Sequence, residues 1–218
     1  MITIDEKRHQ RFNKIFEYHD LLPLPFRFWG VVDKDNTPVH NCYMAHRNAI
    51  MKAKELDWPF VCIFEDDAYP CNNVRNDLED ILKKIPATCL VFHLGWTTYK
   101  VGRCDTFNDD FITKFVSWGT GSYVVLREAY DRYIKIMDEY KEADGVFFSE
   151  VEHDILKKNT FFAPRKRFFL QFNGKEGSMH LPNAGYYLGK PGVGWYSEEE
   201  IFNMGFPKFQ DLNIEVED

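Results

Sequence analysis

The sequence predicts an α/β fold in which a mainly parallel central sheet is flanked by helices. Three observations carry this. Strand-like and helix-like segments alternate along the chain. Two of the strand-like segments, FVCIF (60–64) and CLVFHL (89–94), are continuous apolar runs of the kind buried on both faces. A glycine turn then opens a third, in GTGSYVVL (119–126).

Each element follows from its local pattern. The opening ITID is a short apolar segment, and 11–19 carries Phe12, Ile15 and Phe16 at helical spacing until LLPLP (21–25) breaks it. FRFWGVV (26–32) is a strand that ends in the turn signal DKDNTP. Residues 41–56 form an amphipathic helix with Met44, Ala45, Ile50 and Met51 among its apolar positions. After the 60–64 strand, Tyr69–Pro70 turns the chain, and 74–85 is a helix stopped by Pro86. Residues 107–118 carry no clear period. Residues 127–140 are helical, with Tyr130, Tyr133, Ile134 and Met137 on one side, and 147–156 reads as helix. Residues 160–172 are aromatic and strand-like, broken by Pro164, with Phe161, Phe162, Phe168, Phe169 and Phe172 expected in the core. From Gly174 onward glycine and turn residues dominate. No repeat or linker divides the chain, so 1–218 is expected to be a single domain with a frayed acidic tail at 211–218.

Composition narrows the function. With a net charge of −7, no broad basic surface is implied, and nucleic acid is excluded as a partner. A small polyanion such as a nucleotide diphosphate would need a local cation or a helix N-terminus. The 20 Phe, 11 Tyr and 5 Trp fill a core, with a minority lining a cleft where sugar rings or bases stack. The five cysteines, Cys42, Cys62, Cys71, Cys89 and Cys104, form no CxxC pair and are odd in number, which points to reduced thiols. The start, MITIDEKRHQRF, lacks the apolar core of a secretory signal, and no stretch reaches the length of a membrane span. A cytoplasmic protein without a transmembrane segment is expected.

The most informative segment is FVCIFEDDAYP (60–70), where Glu65, Asp66 and Asp67 follow directly on an apolar strand. Open α/β sheets bind ligands beyond the carboxyl ends of their strands. Three adjacent carboxylates there repel one another unless they are solvated or neutralised by a divalent cation. In an extended segment Glu65 and Asp67 point the same way and Asp66 the other. Mn²⁺ or Mg²⁺ would take carboxylate and diphosphate oxygens in one shell. The bland reading is an acidic loop.

Several motifs occur in order: ITIDEKRHQRF, FRFWGVVDK, NCYMAHRNAI with Cys42 and His46, IFEDD, FHLGW and GTGSYVVLREAY. Over roughly residues 2 to 180 the chain thereby resembles glycosyltransferase family 25, the lipopolysaccharide-type galactosyltransferases. Asn41 and Ala45 depart from that family's Gly and Ser, and its Pro-x-Asp-Trp appears only as EADGV. The resemblance implies a GT-A fold and a hexose transferred, with inversion, from a UDP-sugar (UDP-galactose or UDP-glucose) to a hydroxyl of a glycan acceptor.

Candidate roles follow. Asp67, with Glu65, would hold the metal, and His180 is a further metal ligand or an ordinary loop histidine. Asp144 is the candidate base or a turn residue before Gly145, with Glu150 and Asp154 in reserve. Asp66 is grouped with the donor-binding residues. Asp33 would accept from the base or ribose, or initiate a turn. Arg8 would reach the nucleotide, or be solvated. His46 is a structural hydrogen-bonding group or part of the donor site. Gly119 and Gly121 let backbone approach the donor or only make the turn. Gln171 and Ser178 rest on the resemblance alone. The rival classes are a non-catalytic nucleotide-sugar or glycan-binding module, a retaining transferase, and a metal-dependent nuclease or phosphatase, the last of which the charge disfavours.

Overall fold

The computed structural model describes residues 1–3, 6–21, 28–30, 33–95, 97–98, 105–113, 117–118, 120–143, 160–166 and 168–171. The expectations for 147–156, 174–218 and the residues Phe172 and Cys104 lie outside these.

In chain order the elements are β1 (Ile2–Thr3), α1 (Glu6–Tyr18), β2 (Phe28–Trp29), α2 (Pro38–Glu55), β3 (Phe60–Phe64), β4 (Ala68–Pro70), α3 (Val74–Leu82), β5 (Val91–His93), β6 (Thr97–Thr98), β7 (Asp105–Thr106), β8 (Phe111–Thr113), β9 (Ser117–Trp118), β10 (Ser122–Leu126), α4 (Tyr130–Tyr140), β11 (Phe161–Pro164) and β12 (Phe169–Gln171). Helix α2 starts three residues before the expected boundary. Thr37 caps it by accepting from the His40 N–H at 3.2 Å, and Pro38 occupies the first turn, where a missing N–H costs nothing.

The α/β class and the central sheet flanked by helices are observed. Six strands run in the order β3-β10-β5-β11-β8-β7. The expectation of a mainly parallel sheet is corrected. Only β5–β11 is parallel in it, and the other four pairings are antiparallel. The reason is that β10 inserts between β3 and β5, antiparallel to both. An apolar run marks a strand as buried but says nothing of its direction. At the β3 edge the direction is the expected one: β1 pairs β2 in parallel, and a parallel bridge joins Ile2 to Glu65. The ends of β1, β2 and β3 therefore open on one rim.

Alternate residues of each strand feed opposite layers. Val61, Ile63, Val91, Tyr123, Val125, Phe161 and Ala163 pack with Tyr43, Ala49 and Ile50 of α2 and with Tyr133, Ile134 and Met137 of α4. Phe64, Phe92 and Phe162 face the other way, onto Phe12, Ile15 and Phe16 of α1 and Val74 and Ile81 of α3. Phe161, Phe162, Phe168 and Phe169 are all buried, as expected of core rather than of a sugar platform. Arg47 and Tyr43 of α2 both donate to Asp138 of α4, which ties the two helices on one face together, with Arg47 Nε 2.6 Å from the carboxylate. Among the described residues no helix is long and apolar enough to cross a membrane.

Candidate active site

The acidic triplet is not extended. The Ala68 N–H donates to the Glu65 carbonyl at 3.1 Å, so 65–68 is a tight turn between β3 and β4. The alternation expected of an extended segment does not apply, and each carboxylate goes its own way. The turn is held from two sides: the Glu65 N–H donates to the Gly121 carbonyl at 2.9 Å, and β12 pairs antiparallel with β4.

Glu65 turns toward α2. Its Oε1 lies 3.0 Å from His46 Nε2 and also accepts from the Thr120 hydroxyl. His46 is fully buried, and its Nδ1 lies 2.8 Å from the Tyr123 hydroxyl. Burial pushes the Glu65 carboxyl up, but the hydrogen bond and charge of His46, the Thr120 hydroxyl and the charge of Arg8 outweigh it, and the net shift is downward. The group is held as a carboxylate.

Asp66 turns toward the N-terminal segment. Thr3, at the end of β1, donates to its Oδ2 at 2.7 Å, and Arg8 of α1 approaches Oδ1 to 3.2 Å. Burial raises its pKa, and Arg8 and Thr3 offset only part of that. Asp67, 4% exposed, completes the turn. The structure thus brings Arg8, His46, Glu65, Asp66 and Asp67 to one rim.

The other expected residues stand as follows. Asp33 is exposed and forms a turn: its two carboxylate oxygens accept from the Asp35 N–H at 2.9 Å and from Asn36 Nδ2 at 3.1 Å. Asn41, where the resembled family has glycine, donates to the Asp33 carbonyl at 2.9 Å. Gln171 lies opposite Ala68 in the β12–β4 register, one residue from Asp67. Gly121 is buried and accepts from Glu65. Asp144, Glu150, Asp154, Gly119, Ser178 and His180 lie outside the described residues.

Thr3 joins the site without any warning in the sequence, and Thr120 and Tyr123 stand out there only as part of the GTGSYVVLREAY motif. A single hydroxyl in ITID or GTGSY carries no local signal of its partner, because the partner is set by sheet order. Cys42 stands out in the sequence only as part of a motif. It lies four residues before His46 on one face of α2, and its Sγ, a His46 ring nitrogen and a Glu65 oxygen all lie within 4.8 Å of one another.

The triplet is compatible with Mn²⁺ or Mg²⁺. Glu65 is turned toward His46 and Thr120, and Asp66 toward Thr3 and Arg8. Such ions are characteristically held by one or two carboxylates and complete their shell with phosphate and water.

No protein-family model matches the chain, and no curated protein matches it. Several solved structures are similar to it, three of them as follows. A glycosyltransferase involved in the glycosylation of the major capsid of PBCV-1 is 10% identical, with 85% of this chain and 95% of that chain covered and a TM-score of 0.49. Mannose-1-phosphate geranyltransferase from Thermus thermophilus is 11% identical, with 75% of this chain and 65% of that one covered and a TM-score of 0.42. Mouse xyloside xylosyltransferase 1, in its apo form, is 11% identical, with 71% and 59% covered and a TM-score of 0.35. The chain thus spans less than two thirds of the last two.

Proposed function

We propose that this chain is a metal-dependent glycosyltransferase of the GT-A fold that moves a hexose from a UDP-sugar to a hydroxyl of a glycan acceptor, with inversion. One observation supports it above the rest: Asp66 and Asp67, both buried, sit in a tight turn at the carboxyl end of β3, on the rim shared with β1 and β2, with Arg8 against Asp66.

In this reading Asp67, with His180, holds a divalent cation, and that cation when bound supplies positive charge where the leaving diphosphate becomes more negative. Arg8, fixed by Asp66, lies on the nucleotide side. Asp33 and Gln171 bound the donor pocket, and Gly119 and Ser178 are assigned to it from the resemblance. Asp144 takes the proton of the acceptor hydroxyl as its oxygen bonds to the anomeric carbon and the bond to the diphosphate breaks.

The test is calorimetric titration of UDP-galactose and UDP-glucose with and without Mn²⁺, followed by product analysis. Asp67→Ala is expected to lose metal-dependent donor binding; a variant that binds as the parent does would overturn the assignment. Asp144→Asn is expected to bind donor and fail to transfer. An active Asp144→Asn protein moves the base to Asp154 or Glu150. Donor binding without turnover on any acceptor favours the binding-module reading.

A further inference from the structure

The geometry points to a zinc site separate from the donor's cation, built from Cys42 and His46 of α2 and Glu65 at the end of β3. Cys42 and His46 are four apart, so one helical face presents both to the same point. Glu65 meets them from the sheet, and the three donor atoms lie within 4.8 Å of one another. Tetrahedral zinc with ligands at its usual bond lengths sets those atoms about 3.3–3.7 Å apart. A modest side-chain adjustment closes that difference. Among the described residues this is the one such group of three.

The donor set decides the ion. A thiolate, an imidazole and a carboxylate suit zinc, whereas Mg²⁺ and Mn²⁺ favour oxygen shells. The surroundings are those of a metal site. Tyr123 lies 2.8 Å from His46 Nδ1 and can accept from an Nδ1–H once Nε2 faces the ion, which fixes the ring's tautomer. The Thr120 hydroxyl donates to Glu65 and orients the carboxylate.

On binding, the Cys42 thiol loses its proton, and His46 faces the ion through an unprotonated Nε2 with its remaining proton on Nδ1. Zinc uptake therefore releases protons to solvent, and the ion replaces the present His46–Glu65 hydrogen bond. The site would clamp α2 to the acidic turn. It stands apart from the donor reading, because it is tested with no sugar nucleotide present.

The experiment uses the full chain, stripped with chelator and dialysed. Zinc titrated against a chromophoric competitor should bind at one equivalent per chain and raise the melting temperature. Cobalt substitution should give a thiolate-to-cobalt absorption in the near ultraviolet. Cys42→Ser should lose that band and the zinc-dependent rise in melting temperature, while Cys62→Ser and Cys71→Ser keep both. Substoichiometric zinc in the parent protein, or a near-ultraviolet band that persists in Cys42→Ser, overturns the assignment. Where Cys42→Ser fails to fold, zinc protection of Cys42 from alkylation in the folded parent, read by mass spectrometry, decides instead: Cys42 alkylated equally with and without zinc overturns the assignment.

Discussion

His46 of α2 and Glu65 at the end of β3 meet at 3.0 Å in a pair whose imidazole is fully buried. Nineteen residues separate them in sequence, and the pair joins the helix packed on the sheet to the turn carrying the carboxylates.

Removing the imidazole should therefore be costly. In metal-free protein, His46→Ala takes the ring away from both the Glu65 carboxylate and the Tyr123 hydroxyl. Breaking such a buried pair costs about 3–5 kcal/mol. Urea unfolding of the two proteins checks this. His46→Gln, whose amide still donates toward Glu65, should recover part of the loss. A His46→Ala loss no larger than that of an ordinary surface substitution would show that the pair does not hold the turn.

Gly95 is fixed by space rather than by backbone angle. A Cβ there would lie 2.6 Å from the Phe169 carbonyl oxygen and 2.7 Å from Ser122 Oγ. Gly95→Ala must push β12 away from the end of β5, and overpacking of this kind costs about 1–3 kcal/mol. Denaturant midpoints measure the loss. Since β12 pairs with β4 beside the acidic turn, donor affinity should fall as well. A variant as stable as the parent would place β12 elsewhere.

His19 supplies a pH dependence. Its ring is buried, Nε2 has no hydrogen-bond partner among the described residues, and burial lowers its pKa from 6.5 to about 4. The unfolded chain binds a proton that the folded chain refuses between those values. Stability from this residue is thus full above pH 6.5 and is lost as pH falls through 4, by at most roughly 3 kcal/mol. Chemical denaturation of the parent and of His19→Leu at pH 7, 5.5 and 4.5 checks it. The difference between the two should shift in favour of the leucine variant as pH drops, and a constant difference would refute the prediction.

The residues themselves determined a good deal. The apolar run 60–64 is β3 to the residue, and Phe12, Ile15 and Phe16 are the buried stripe of α1, because period and burial are properties of a local segment. The place of the acidic triplet at the end of a buried strand was likewise legible, since EDD follows directly on the apolar run. The helix ends were less so: α2 begins at Pro38 because Thr37 caps it, a signal present in NTP that apolar spacing does not register.

Strand direction and the partner of each carboxylate were decided only by the tertiary structure. The same FVCIF run serves a parallel or an antiparallel neighbour, and it is the placing of β10 beside β3 that brings Tyr123 to His46 and Thr120 to Glu65. Glu65 and Asp66 are adjacent and chemically alike, yet one faces α2 and the other faces Thr3 and Arg8. The physical reason is range. Periodicity is fixed by a residue's neighbours along the chain, whereas a buried charge takes its partner from whichever element the sheet order sets beside it.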